Sequence, residues 1–167
     1  AKVSDYECRI TDASDVKPAA RAIVLNNWNR DEIDHCFTDI RGQLPSSHWA
    51  AYDKNHLAAP VCVIHGGAWC KLSQEDLASD FVFIGMPCQP VSQNRNGRFA
   101  AGAVADHPEQ AVYNLVIDLL ESRDIKAGPI EEVMGFNLHA AGEGVTPMRL
   151  FVARLKQSKK YAVRVIK

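Results

Sequence analysis

Apolar positions along this chain come in short clusters whose spacing switches between strand-like runs and helix-like stripes, separated by turn-forming residues. Residues 3–10 carry β-branched and aromatic side chains and read as a strand, which ends at Thr11-Asp12-Ala13-Ser14-Asp15, rich in helix-capping types. Residues 16–28 follow as a helix, with Pro18 in the first turn and Ala19, Ala20, Ile23 and Val24 along one face. A second strand is expected over 33–40, and an irregular stretch over 42–59 with a helical turn around 48–52. Val61 to Ile64 is a short apolar run closed by His65-Gly66-Gly67, and 72–79 reads as a short capped helix or turn. The run Phe81 to Ile84 is long enough for one buried strand, and Gly85 and Pro87 end it abruptly. Cys88 is thereby placed in a loop just past a strand end, where open α/β sheets carry reactive groups. The stretch 94–110 is small and polar and is expected to be mobile or to order on contact. A helix then runs from about His107 to Ser122, with Val112, Leu115, Val116, Leu119 and Leu120 as its core stripe. A short strand broken by Gly128 and Pro129 leads to Glu131. Thr146-Pro147 starts a last helix with Met148, Phe151, Val152 and Leu155 on its apolar side, and 161–166 reads as a last strand. No internal repeat or low-complexity tract interrupts this α/β pattern.

Composition narrows the picture in three ways. With 167 residues, 47% of them apolar, the chain can build a core, and one domain is the default. A net charge of -1 supplies no overall basic field, so any polyanion contact must come from a local patch. Arg95 to Arg98 is one such patch; the other is the stretch 149–167, where seven of nineteen residues are Lys or Arg, and its simplest reading is a solvated helix face followed by a strand. The five cysteines, at 8, 36, 62, 70 and 88, are odd in number and form no disulfide framework, which fits free thiols in a reducing compartment. Cys62, His65 and Cys70 can be imagined around zinc, but no fourth ligand at suitable spacing is evident, so no metal is expected. The apolar runs are too short for a transmembrane helix or a signal peptide, which reads as a soluble chain, and the start at Ala1-Lys2-Val3 leaves room for an upstream segment. Val61 to Gly67 resembles the oxyanion loop of the α/β-hydrolases, but the Gly-x-Ser-x-Gly elbow which that fold needs is missing, so a tight glycine turn is the expectation.

The motif Gly85-Met86-Pro87-Cys88-Gln89-Pro90-Val91-Ser92, following a strand, resembles the nucleophile loop of the DNA (cytosine-5)-methyltransferases. The resemblance spans about residues 3–166 and implies a partial S-adenosylmethionine-dependent methyltransferase fold, Rossmann-like and lacking its first strand. It makes Cys88 the nucleophile that adds to carbon 6 of cytosine, and Glu131 the acid at N3, held neutral by burial. It places Glu7 on the ribose hydroxyls, Asp39 on the adenine and Pro87 beside the cofactor, because acceptor carboxylates at strand ends suit hydroxyl and amino donors. Gln89, Ser92, Arg95 and Arg98 would then face a flipped base and its duplex DNA.

This sequence also departs from the family pattern. Glu132 stands where the family has Asn, Val91 where it favours an aromatic residue, and the Phe-x-Gly-x-Gly turn, the Gln-x-Arg-x-Arg segment and the target-recognition region are absent. A sheet without its first strand would expose edges and apolar surface. Two readings follow: a cytosine methyltransferase segment acting on DNA, in the nucleus or nucleoid, or a non-catalytic subunit of a larger protein assembly that kept the fold.

Overall fold

Thr11 to Ser14, a run that reads locally as a helix cap, is extended instead. It forms most of β1 (Ile10–Ser14), which pairs in parallel with β2 (Ile33–Phe37) in the register Ile10↔Ile33, Asp12↔His35, Ala13↔Cys36 and Ser14↔Phe37. Pairing along a buried neighbour overrides the local turn preference of Thr, Asp and Ser, so a stretch that reads as a helix cap is strand. The computed structural model describes residues 9–28, 31–45, 47–48, 60–104, 106–107 and 109–166. Most of the expected strand over 3–10, and the turn around 48–52, therefore lie outside the described residues. Two compact units make up the chain, Ala1–Ser79 with Ser122–Asp124 and Asp80–Glu121 with Ile125–Lys167.

In the first unit, β1 and β2 are joined by α1 (Pro18–Asn27), which Pro18 opens without a side-chain cap. Its helix is amphipathic only weakly and buries no residue fully; Ile23 is 65% exposed. The core lies under β2, where Ile33, Cys36 and Phe37 are buried together with Leu44 and Cys62. Segment 61–63 is strapped to the end of β2, with the amide of Thr38 donating to Val61 O at 3.0 Å and that of Val63 to Cys36 O at 2.8 Å. Asp12 and Arg123 form a buried bidentate ion pair at 2.8 and 2.7 Å. The same guanidinium donates to Asp76 O at 2.7 Å and Ser79 Oγ at 3.2 Å, fastening the end of this unit's chain to β1.

In the second unit the expected strand is present as an edge. The amides of Val82, Ile84 and Met86 donate in turn to the carbonyls of Ala127, Pro129 and Glu131 at 2.9, 3.1 and 3.3 Å. The regular part of this ladder is β4 (Ile84–Gly85) parallel to β6 (Ile130–Glu131), with Gly85 opposite Glu131. It continues the chain of β3 (Ala78–Phe81) and β5 (Asp124–Ala127). Only Ile84 of the apolar run is buried; Phe81 and Phe83 are 63% and 73% exposed, because no third strand joins either pair among the described residues. The sequence leads one to expect burial of the whole run, and the missing neighbour among the described residues is why it fails. Gly128 allows the two backbones to approach, since a Cβ there would lie 1.9 Å from Val82 O.

The hydrophobic centre of this unit is α2 (Gln110–Ser122), which buries Tyr113, Leu115, Val116, Ile117, Leu119 and Leu120. Thr146 caps α3 (Pro147–Gln157) by accepting from the amide of Arg149, and α3 buries Phe151 and Leu155. Tyr113, Phe136 and Phe151 pack in sequence, with ring centroids 5.4 and 5.9 Å apart. The expected last strand over 161–166 has no ladder; Tyr161 instead donates to the carbonyls of Leu120 and Ile125, and Ile166 is 84% exposed. No helix is long and apolar enough to cross a membrane among the described residues.

Candidate functional site

The end of β4 launches the cysteine loop. Met86 is buried, and its amide bond to Glu131 O holds the loop against β6 up to the residue before Pro87. Pro87 O accepts the Tyr113 hydroxyl at 3.0 Å. Cys88 O then accepts two amides, those of Val91 at 3.1 Å and Ser92 at 2.7 Å, which folds Cys88 to Ser92 into a tight turn. Pro90 and Val91 are the buried base of this turn, leaving Cys88 half-buried and Gln89 exposed at its tip. The Cys88 thiol lies 3.9 Å from Gln89 Oε1. Ser92 Oγ accepts the amide of Asn94, and Gly135 packs so close beneath that a Cβ on it would meet Val91 O at 1.8 Å.

The two arginines expected on DNA are turned inward. Arg95 donates to Pro90 O at 3.2 Å and Ala103 O at 2.7 Å. Arg98 is 1% exposed and donates to Gly135 O at 3.1 Å and Leu138 O at 2.8 Å, and burial pulls its pKa down. They order 92–104 into successive turns, so the stretch expected to be mobile is braced from within. A long side chain with five donors can satisfy several loop carbonyls at once, and the chain uses it for that rather than for a phosphate grip.

Carboxylate placement also differs from expectation. Glu131 is exposed, whereas its neighbour Glu132 is half-buried. Glu132 Oε1 accepts the amide of Val133 at 2.9 Å, and its Oε2 is buried with no hydrogen-bond partner. Burial, with a smaller contribution from the Glu131 charge, pushes the Glu132 carboxyl up to about 7 against the opposing pull of the Val133 amide. Burial first, and then the negative charges of Glu132 and Cys88, push the Tyr113 hydroxyl well above its ordinary value. Glu132 and Cys88 thus each sit within electrostatic reach of Tyr113. Sequence reasoning missed Tyr113 and Glu132; the available signal was a Tyr inside an otherwise aliphatic helix stripe and an acidic pair at the end of a strand.

The expected cofactor positions that are described are engaged by the chain's own donors. Glu7 lies outside the described residues, and the acidic residue that ends β1 is Asp15, whose carboxylate accepts the amide of Lys17 at 2.7 Å. Asp39 is buried and caps the 3-10 turn Ile40–Gln43, with Oδ1 accepting both the amide and Nε of Arg41 at 2.9 Å. An acceptor already neutralised by a guanidinium is a poor partner for adenine, and the Pro87 carbonyl is taken by Tyr113. Of the expected cofactor positions, Asp39 and the Pro87 carbonyl thus have no acceptor left open for S-adenosylmethionine.

A second cluster lies in the first unit. His35 on β2 joins Cys62, His65 and Cys70, and their ligand atoms all fall within 4.8 Å of one another. The fourth group that the sequence spacing lacked comes from a strand 27 residues before Cys62, brought in by the strapping of 61–63 to β2. No family model matches this sequence, and no curated protein or solved structure is similar enough to count as a relative.

Proposed function

We propose that this chain carries the nucleophile loop of a DNA cytosine carbon-5 methyltransferase-like domain, Rossmann-like in plan and built without the first strand. The observation that supports this reading most is the parallel pair β4 and β6, which sets the Cys88 turn and the Glu131-Glu132 pair at the carboxyl ends of adjacent strands. The chemistry these residues support is pyrimidine activation. The Cys88 thiolate adds to carbon 6, the ring π electrons shift toward N3, and a neutral carboxyl gives N3 its proton, leaving carbon 5 nucleophilic. By resemblance that carboxyl is Glu131; by burial it is Glu132, whose elevated pKa keeps a proton available near neutrality. S-adenosylmethionine is the methyl donor the resemblance implies, and Asp39 and the Pro87 carbonyl are engaged within the chain.

The test isolates the addition step. Duplex DNA is incubated with the protein in deuterated water, and exchange of the cytosine carbon-5 hydrogen is followed by mass spectrometry; carbon 5 of the adduct takes up a deuteron before the thiolate leaves. Exchange that is lost in Cys88→Ser supports the proposal. Its absence in a folded protein with a reduced Cys88 overturns it, as does exchange that survives Cys88→Ser. The first of these outcomes favours the second reading, a non-catalytic subunit, for which the inward Arg95 and Arg98 and the Arg41-bound Asp39 already speak.

A further inference from the structure

We infer that His35, Cys62, His65 and Cys70 form a closed Cys2His2 site for one zinc ion, which staples the loop 60–70 onto β2. This site goes beyond the Cys88 chemistry and does not depend on it. Its four donors are a thiol and imidazole set that suits zinc, two soft and two borderline ligands with no room for an open position.

The geometry is close to what a tetrahedral ion needs. With Zn–S near 2.3 Å and Zn–N near 2.05 Å, neighbouring ligand atoms stand roughly 3.3–3.8 Å apart. His65 Nδ1 is 3.3 Å from the sulfur of Cys62 and 3.3 Å from that of Cys70. All four ligand atoms fall within 4.8 Å, so about 1 Å of inward movement closes the widest pair. The His35 and His65 rings are 5.0 Å apart and tilted by 54°, an arrangement in which two imidazoles can aim at one point.

The backbone is shaped to hold the set. Cys62 and His65 are separated by two residues, and the chain reverses straight after them. The amide of Gly67 donates to Cys62 O and that of Cys62 to Ala68 O, both at 2.9 Å, while Gly66 and Gly67 adopt φ of 68° and 82°. That left-handed pair costs a side chain strain that glycine escapes, and it returns the chain so that Cys70 faces Cys62. Cys62 is fully buried and anchored between β2 and residue 68 by two bridges, whereas Cys70 is only half-buried. His35 Nδ1 is buried without a hydrogen-bond partner, which leaves its nitrogen available to a metal ion. The glycine turn that resembled an oxyanion loop thereby finds its role as a metal knuckle.

Cobalt(II) titration of the full chain under reducing conditions tests this directly. The expected result is about one equivalent bound, with visible tetrahedral bands and a thiolate-to-cobalt charge-transfer band, both displaced by zinc. Cys70→Ser and His35→Gln should each weaken binding by about 100-fold or more, beyond the loss that a supporting residue gives. Cys36→Ser and Cys88→Ser, which lie outside the cluster, should retain it. Absence of a charge-transfer band in the wild-type chain with its thiols shown to be reduced overturns the proposal, and so does undiminished binding in both Cys70→Ser and His35→Gln. Because the wild-type titration decides by itself, a variant that fails to fold leaves the proposal still open to refutation.

Discussion

Asp12→Asn should destabilise the first unit more than any other isosteric change in it. The two side chains of the Asp12–Arg123 pair are each 3% exposed, and the contacts are bidentate at 2.8 and 2.7 Å. Neutralising Asp12 removes the bidentate counter-charge from a buried guanidinium, which typically costs about 3–5 kcal/mol. Arg123 keeps the carbonyls of Asp76 at 2.7 Å and Gln43 at 3.5 Å, along with Ser79 Oγ at 3.2 Å. These dipoles offset part of the loss, so the expectation is about 3 kcal/mol, the lower end of that range. All three tryptophans, at 28, 49 and 69, belong to the first unit, so intrinsic fluorescence during urea unfolding reports on it selectively. At an m-value of about 2 kcal/mol/M the midpoint should fall by about 1.5 M. The double variant Asp12→Leu with Arg123→Met, which removes both charges, should cost less than the sum of the two single losses. A loss below about 1 kcal/mol for Asp12→Asn, or strict additivity in the double variant, would refute the claim that this pair is a coupled buried unit.

Two further expectations concern the second unit. Glu132 has its folded pKa raised from the ordinary 4.5 to about 7, so between these values the native state holds a proton that the unfolded chain has released. Stability from this group is therefore present below about pH 4.5 and declines as pH rises to about 7; Glu132→Gln should flatten that part of the pH profile, and an unchanged slope would remove Glu132 as the buried acid. Gly135→Ala would set a Cβ 1.8 Å from Val91 O, so the Cys88 turn must shift. The overpacking should cost about 1–3 kcal/mol and raise the rate of Cys88 alkylation, whereas wild-type stability and thiol reactivity would show that the loop does not rest on this glycine.

Local pattern was enough where an element's own side chains decide its fate. The stripe on α2 was legible because its helical spacing names the buried face, and four of its five expected positions are fully buried, Val112 being the exception. Thr146 and Pro147 declared the start of α3, since capping and a fixed φ are properties of the residues themselves. The break at Gly128 and Pro129 and the placement of Cys88 just past a strand followed in the same way. What needed the tertiary structure were features set by residues distant along the chain. β1 is strand through Ser14 because β2 lies beside it, a pairing that composition does not announce. Arg98 reads as a phosphate contact in sequence, but the carbonyls of Gly135 and Leu138 surround it, and the half-burial of Glu132 rather than Glu131 turns on a single residue step at the end of β6. His35 had no sequence signal as a ligand at all, since its partners lie 27 to 35 residues downstream and only the strapping of 61–63 to β2 unites them. Periodicity and capping are short-range and survive in one dimension; burial, charge pairing and metal geometry depend on what folds against a residue, and that was decided in three.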